Sequence, residues 1–141
     1  MKAMRISIFV LLSVAGFAQD NNELELTDDA KYFDFWEGTW CVMNVDGSMD
    51  TASYFKVRRS VHPAAFEEEW QFGVDNKTPL KSVALRAWDK STGKWGFVWV
   101  SDNGLYQVWE TRKVDGHWYI YKQFTVNGDT YLSRQGFLLQ P

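Results

Sequence analysis

The chain contains one cysteine, Cys41, and two histidines, His62 and His117, among its 141 residues. A single cysteine excludes an intramolecular disulfide and a zinc site built on cysteines, and two histidines do not favour a histidine-rich metal cluster. The sequence also lacks a phosphate-binding loop, a dinucleotide fingerprint and a Gly-x-Ser-x-Gly elbow. We therefore expect no cofactor and no metal site. Cys41 has no identifiable base beside it, so we expect no thiol nucleophile.

Basic residues are outnumbered, with 15 Lys and Arg against 18 Asp and Glu and a formal net charge of −3. Proteins that bind nucleic acids without sequence preference present a positive surface to the phosphate backbone. The acidic balance excludes a general nucleic-acid binder.

Two of the basic residues, Lys2 and Arg5, precede the apolar run 6–18 at the start of the chain. This run is too short to span a bilayer but is typical of a signal peptide, and Gly16 and Ala18 supply the small residues that cleavage needs. We expect cleavage after Ala18 and export to the periplasm or beyond, with no membrane span in the mature chain. The alternative interpretation of this run is a short buried helix.

Residues 19–141 are expected to form a single domain, because no linker or low-complexity segment divides them. Turn signals recur at regular spacing, and three of them are Asn-Gly or Asp-Gly pairs between apolar runs, which are typical of β-hairpins. They predict eight strands, at about 38–45, 51–61, 65–72, 81–88, 95–101, 105–112, 117–125 and 130–139. Eight strands joined by short turns favour an all-β, antiparallel up-and-down barrel over a β-sandwich.

The segment Phe33-Asp34-Phe35-Trp36-Glu37-Gly38-Thr39-Trp40 has four aromatic residues in eight positions. Its Gly38-Thr39-Trp40 part resembles the Gly-x-Trp opening of the lipocalins and the wider calycin group. The whole string is similar to the opening of a family of mostly uncharacterised secreted bacterial domains. The resemblance implies a lipocalin-like barrel that begins at Gly38. The residues before it, Thr27 to Tyr32, have a threonine cap and early acids that predict a short N-terminal helix lidding the barrel.

Two-residue turns fix hairpin register, so the last four strands can be paired residue by residue. Pairing about Asn103-Gly104 places Trp99 opposite Val108, and pairing about Asp115-Gly116 places Glu110 opposite Tyr121. One face then collects aromatic and polar side chains, which are Trp95, Phe97, Trp99, Tyr106, Glu110, Arg112, Tyr119, Tyr121, Gln123 and Arg134. Arg86 and Trp88 join this face if the loop from Asp89 to Lys94 leaves Trp88 opposite Trp95. The other face is mostly apolar and includes Val98, Val100, Trp109, Trp118, Ile120 and Phe124.

The period of the strands does not decide which of these faces is inside. Calycins typically stack an arginine of the final strand on the floor tryptophan, so the resemblance implies that Arg134 partners Trp40 and that the polar-aromatic face points inward. On strand three, Glu68 falls on the apolar side, where a carboxylate needs a partner. The expected ligand-binding residues are Glu68, Arg86, Trp95, Trp99, Tyr106, Arg112, Tyr119, Gln123 and Arg134.

A face of this kind predicts an exported protein that binds a small polar ligand, such as an oligosaccharide or an acidic sugar. One alternative is a small-barrel carbon-oxygen lyase, a dehydratase that acts on unsaturated uronic-acid oligosaccharides. Its catalytic residues would be Glu110, Tyr121 and His62, one of them taking a proton beside a carboxylate. A second alternative, a carrier of an apolar ligand, requires the opposite face to be inside. Residue spacing does not separate the binder from the enzyme.

Overall fold

The computed structural model describes residues 26–73 and 78–137. They form eight antiparallel strands in one sheet, and each strand pairs with the next along the chain. The strands are β1 (Gly38–Met43), β2 (Met49–Arg59), β3 (Ala65–Phe72), β4 (Leu80–Asp89), β5 (Lys94–Ser101), β6 (Tyr106–Val114), β7 (His117–Val126) and β8 (Asp129–Gly136). The predicted all-β, up-and-down architecture is therefore confirmed, with strand bounds close to those expected from the turns.

The sheet is open, and this corrects the expectation of a closed barrel. Within the described residues, β1 pairs only with β2 and β8 pairs only with β7, so no backbone ladder joins the two edges. β1 is six residues long, and its pairing with β2 shifts between Cys41 and Val42. An interrupted edge strand offers few continuous backbone groups to a second partner.

The segment before β1 folds over one end of the sheet as turns rather than as the α-helix expected at Thr27 to Tyr32. Its cap is present, since Thr27 Oγ1 accepts a hydrogen bond of 3.2 Å from the backbone N–H of Ala30. The one helix in the described ranges is a 3₁₀ turn at Asp34–Trp36. This helix places Trp36 in the core, where the side chain is 3% exposed.

The hairpin turns fix which side chains share a face. The Asp115-Gly116 turn pairs Glu110 with Tyr121, as expected, and both turn residues have positive φ, as a two-residue hairpin turn of this type requires. The Asn127-Gly128 turn also matches the prediction. Trp88 pairs with Trp95, so the condition that places Arg86 on the same face as Trp95 is met.

The turn between β5 and β6 is the exception, because it has three residues rather than two. Ser101 N donates to Leu105 O at 3.0 Å, and Gly104 N donates to Ser101 O at 3.0 Å. Gly104 has a φ of 86°, the left-handed conformation that ends a three-residue hairpin loop. Trp99 consequently pairs with Gln107, one residue away from the predicted partner Val108. A one-residue slip exchanges the two faces of every strand that follows.

We call the side of the sheet that carries the buried core clusters the inner face, and the opposite side the outer face. The inner face is therefore a combination of the two predicted faces. It takes Arg86, Trp95, Phe97 and Trp99 from β4 and β5, and Trp109, Trp118 and Ile120 from β6 and β7. Its side chains form two packed clusters, one beneath the N-terminal segment around Phe33, Phe66 and Trp95, and one around Phe97, Trp109 and Ile120.

No helix in residues 26–73 or 78–137 is long and apolar enough to cross a membrane. The predicted signal peptide, residues 1–18, lies outside the described residues, as do residues 138 and 139 of the predicted last strand.

Candidate functional site

A charged pair lies in the interior of the sheet between β3 and β4. Glu68 and Arg86 are each 1% exposed, and Arg86 Nε donates to Glu68 Oε1 at 2.8 Å. The same oxygen accepts a 2.9 Å hydrogen bond from Trp36 Nε1, and Glu68 Oε2 accepts one of 3.0 Å from Trp70 Nε1. The expected need of Glu68 for a partner is confirmed, and three donors hold its carboxylate in one orientation.

Aromatic rings surround the guanidinium of Arg86. Its Cζ atom lies 4.6 Å from the ring centroids of Phe33 and Phe97, 4.9 Å from that of Phe137 and 5.8 Å from that of Trp36. These distances are those of cation–π contacts, which gain strength when water is excluded. The rings keep water from the pair and fix the position of the arginine.

One donor atom of this network has no hydrogen-bond acceptor within the described residues. Arg86 Nη2 is buried, and none of the residues 26–73 and 78–137 accepts a hydrogen bond from it. Arginine presents five N–H donors in a fixed fork, and the aromatic rings around this one offer no acceptor oxygen.

A cavity of about 160 Å³ adjoins the pair on the inner face. Six of its seven lining residues are aromatic, and the complete lining is Trp70, Phe72, Phe97, Trp99, Trp109, Gln135 and Phe137. Gln135 is exposed at the edge, whereas Phe97 and Trp109 are buried and meet edge to face at 80°. The cavity can hold a flat apolar group and offers it few hydrogen-bonding groups, chiefly the amide of Gln135.

Trp70 forms one wall of the cavity, and its neighbours hold it in place. Its ring stacks on Phe55 at 4.0 Å and on Phe72 at 5.6 Å, and its Nε1 is held by Glu68. A side chain with this many contacts keeps a single rotamer, which gives the cavity a fixed wall.

Four of the predicted ligand-binding residues, Glu68, Arg86, Trp95 and Trp99, lie on the inner face. Of these, only Trp99 lines the cavity, and the charged pair adjoins it. Trp95 lies under the N-terminal segment, where its Nε1 donates to Asp29 O at 2.8 Å and its ring meets Phe33 at 90°. Trp95 therefore anchors the covering segment.

The remaining predicted ligand-binding residues lie on the outer face, and their inward assignment is wrong. They are Tyr106, Arg112, Tyr119, Gln123 and Arg134, together with the proposed catalytic residues Glu110 and Tyr121. Arg112 pairs with Glu110 at 2.8 Å and covers the ring of Tyr121. The cause is the three-residue turn between β5 and β6, which places β6 to β8 one residue out of the predicted register.

Arg134 is not the partner of Trp40. Its guanidinium lies 5.1 Å from the ring of Tyr119 on the outer face. Trp40 instead stacks on Trp36 at 5.4 Å and donates from Nε1 to Trp36 O at 2.9 Å. The buried arginine of the inner face is Arg86, from the fourth strand rather than the last.

One histidine, His62, lies in a turn, and the other, His117, begins β7. His62 Nδ1 accepts a 3.0 Å hydrogen bond from the backbone N–H of Ala64 in the turn between β2 and β3. His117 Nδ1 lies 3.1 Å from the hydroxyl of Tyr32, and burial raises the pKa of Tyr32 above its ordinary value of 10.0. Since β4 and β5 separate β3 from β6, His62 does not share a site with Glu110 and Tyr121.

The cavity residues that the sequence did not single out as a site are Trp70, Phe72, Phe97, Trp109, Gln135 and Phe137. Trp70 and Phe72 alternate with Glu69 and Gln71 on β3, so their place on the apolar side was visible from the period. Their convergence with β6 and β8 depends on the curvature of the sheet, for which strand period gives no signal.

The described part of the chain has no group of three or more His, Cys, Asp or Glu side chains arranged to hold a metal ion. Comparison of the chain with family models, curated proteins and solved structures finds no match.

Proposed function

We propose that the protein binds a small, ring-bearing ligand in the aromatic cavity of the inner face. The observation that carries this proposal is the lining, six aromatic side chains and one glutamine around about 160 Å³. Ligand sites are typically concave and apolar, with a small number of polar groups that fix orientation.

The size of the cavity sets the size of the ligand. Pockets for drug-sized ligands have volumes of roughly 300–1,000 Å³, whereas an apolar cavity of about 150 Å³ holds one benzene ring. A single ring therefore fills this site, either as a whole molecule or as the end of a longer one.

The polarity of the cavity favours an apolar ring over a sugar. A pyranose ring carries several hydroxyl groups, and each needs a hydrogen-bond partner when it leaves water. Except for Arg86, the tyrosines and arginines that favoured an oligosaccharide lie on the outer face, and Gln135 is the one non-aromatic side chain of the lining. Of the ligand classes that the sequence suggests, the apolar one fits the cavity best.

No observation favours the lyase. Glu110 and Tyr121 face each other across β6 and β7 on the outer face, whereas His62 lies in the turn between β2 and β3. A base and an acid that act on one substrate need to reach it together.

A lipocalin-like relationship and export are part of the proposal. Support for the first comes from the curvature of the sheet, since Phe137 after β8 packs on Trp36 just before β1 with ring centroids 4.4 Å apart. Support for export comes from the basic start and the apolar run 6–18. Mass spectrometry of the secreted or periplasmic protein tests it, with Gln19 expected as the first residue.

Ligand binding is tested by calorimetry and tryptophan fluorescence against single-ring aromatic compounds, monosaccharides, acidic oligosaccharides and linear fatty acids. We expect binding of the aromatic compounds and a loss of at least tenfold in affinity for Trp99→Ala, which removes one wall of the cavity. Tyr106→Ala is the matched control, because this aromatic side chain is 69% exposed on the outer face. Binding of the oligosaccharides alone, or equal losses in the two variants, would refute the proposal.

A further inference from the structure

The Nη2 atom of Arg86 is a buried donor without an acceptor in the part of the chain that the structure describes. Its neighbour Nε is committed to Glu68 Oε1 at 2.8 Å. Native proteins leave few buried donors unsatisfied, and those that remain call for a water, an ion or a ligand to complete them. The packing of the fold does not explain why this donor is buried without an acceptor.

The position of the donor connects it to the cavity. Phe97 and Phe137 line the cavity, and both rings lie within 5 Å of Arg86 Cζ, at 4.6 and 4.9 Å. Trp70 lines the cavity too and donates to Glu68. One layer of aromatic side chains therefore separates the cavity from the charged pair.

Phe137 is the side chain of this layer that lies outside the strands. It lies one residue beyond the end of β8 at Gly136 and is half-buried, whereas Phe97 lies within β5 and is 7% exposed. The backbone of Phe137 lies outside the strand ladder, so this residue can shift as a whole without breaking the pairing of β7 with β8. A shift of the Phe137 ring would open the cavity toward Arg86.

The charge of the pair restricts what the donor can accept. Glu68 already neutralises Arg86, and both side chains are enclosed. A ligand carboxylate would bring a second buried negative charge with no positive charge left to compensate it, which is costly in a site without water. A neutral oxygen satisfies the spare N–H bonds without that cost.

We infer that Arg86 Nη2 is the polar anchor of the cavity, and that the ligand is therefore a ring compound with a neutral hydrogen-bond acceptor such as a ketone or ether oxygen. This inference rests on the proposed function and adds the chemical class of the ligand. The ring occupies the aromatic lining, and the oxygen accepts from Arg86 across the space that Phe137 vacates.

Three ring compounds of similar size test the inference by calorimetry with the wild-type chain. Ethylbenzene has no acceptor, acetophenone has a neutral carbonyl oxygen and benzoate has a charged carboxylate. Ethylbenzene is the most apolar of the three and binds most tightly if burial alone decides. We expect acetophenone to bind at least tenfold more tightly than ethylbenzene and at least tenfold more tightly than benzoate.

The double variant Glu68→Gln with Arg86→Met removes both charges together, so that neither remains buried alone. It should abolish the preference for acetophenone over ethylbenzene while ethylbenzene still binds. Arg58→Met, which removes an arginine paired with Glu67 on the exposed outer face, should leave both affinities unchanged. If the double variant fails to fold, the order of affinities of the three compounds for the wild-type chain decides whether Arg86 Nη2 anchors the ligand.

The outcomes separate this inference from the proposed function. If ethylbenzene binds at least as tightly as acetophenone, Arg86 Nη2 is not the anchor of the ligand, and a buried water satisfies it instead. The cavity then still stands as a ligand site. Tightest binding of benzoate overturns the neutral class of ligand. Binding of none of the three compounds overturns the proposed function and the inference with it.

Discussion

Arg86 and Glu68 form an ion pair of 2.8 Å in which both side chains are enclosed by aromatic rings. The pair lies diagonally across β3 and β4, since Glu68 stands opposite Ala84 and Arg86 stands opposite Phe66. It therefore links these two strands through side chains, behind the aromatic layer that lines the cavity. Buried polar pairs of this kind specify one arrangement of a core rather than adding much stability to it.

Removal of one partner of this pair should destabilise the protein strongly. Arg86→Met leaves the Glu68 carboxylate buried without a counter-charge, and we expect a loss of roughly 3–5 kcal/mol in the free energy of unfolding. Chemical denaturation followed by tryptophan fluorescence measures it. The double variant Glu68→Gln with Arg86→Met should recover several kcal/mol of that loss.

Arg58→Met is the control for this experiment. Arg58 pairs with Glu67 at 2.6 Å, but its side chain is 69% exposed, so its removal should change stability little. Equal losses for Arg86→Met and Arg58→Met would contradict the role assigned to the buried pair.

Much of the fold follows from local turn chemistry. Asp115-Gly116 and Asn127-Gly128 predicted both the turns and the residue pairs that they join, because two consecutive residues with positive φ leave one register for the hairpin. Asn103-Gly104 has the same composition but lies in a three-residue loop. Glycine at positive φ occurs in both kinds of turn, so the dipeptide does not distinguish them.

The site was harder to predict than the fold for the same reason. Glu68 could be placed inside from the alternation along β3, but its partner depends on the register between β3 and β4, which residues 73–79 connect. A loop of that length leaves the register open. The cavity depends on Trp70, Trp109 and Phe137 meeting across the curved sheet, and strand period carries no information about curvature.

The turn between β5 and β6 can be tested through its glycine. Gly104 has a φ of 86° and open space around the position of a Cβ, so Gly104→Ala should cost about 1–2 kcal/mol through backbone strain alone. Gly96→Ala is the matched control within β5, where a Cβ would make an ordinary contact of 3.7 Å with Ala87 O. Thermal denaturation should show Gly104→Ala less stable than wild type and Gly96→Ala unchanged or slightly more stable. The reverse order would contradict the left-handed conformation of Gly104.

Because of the loop between β4 and β5, the stability of the protein should vary with pH in the acidic range. The side chains of Ser91 and Thr92 donate to the carboxylate of Asp89 at 2.6 and 2.8 Å, and these hydrogen bonds lower the pKa of Asp89 below its ordinary value of 3.8. A lowered pKa in the folded state contributes stability that is present above the ordinary value and is lost as the pH falls through the folded value.

The stability of wild type and Asp89→Ala should accordingly differ most near neutral pH. The two should converge as the pH falls below 3.8, when protonation of Asp89 weakens the contacts that the alanine variant already lacks. Denaturation at a series of pH values measures this difference, and carboxyl NMR of wild type and Ser91→Ala should show the pKa of Asp89 rising toward the ordinary value. A difference that grows with acidity would contradict the assignment.

Trp36 and Trp118 offer a matched test of the hydrogen bonds around Glu68. Both indoles are buried, at 3% and 5% exposed, but Trp36 Nε1 donates to Glu68 at 2.9 Å whereas Trp118 Nε1 has no acceptor in the described ranges. Replacement of either by phenylalanine removes an indole N–H and leaves a smaller ring. The packing loss is therefore similar in the two variants.

Only Trp36→Phe also takes a donor away from a buried carboxylate, and a lost partner of this kind costs about 1–3 kcal/mol. We expect Trp36→Phe to be less stable than Trp118→Phe by roughly that amount in urea denaturation. Removal of the N–H of Trp118 also removes a buried donor that has no acceptor, which offsets part of its packing loss. Equal stability of the two variants would mean that the carboxylate of Glu68 is held by Arg86 and Trp70 alone.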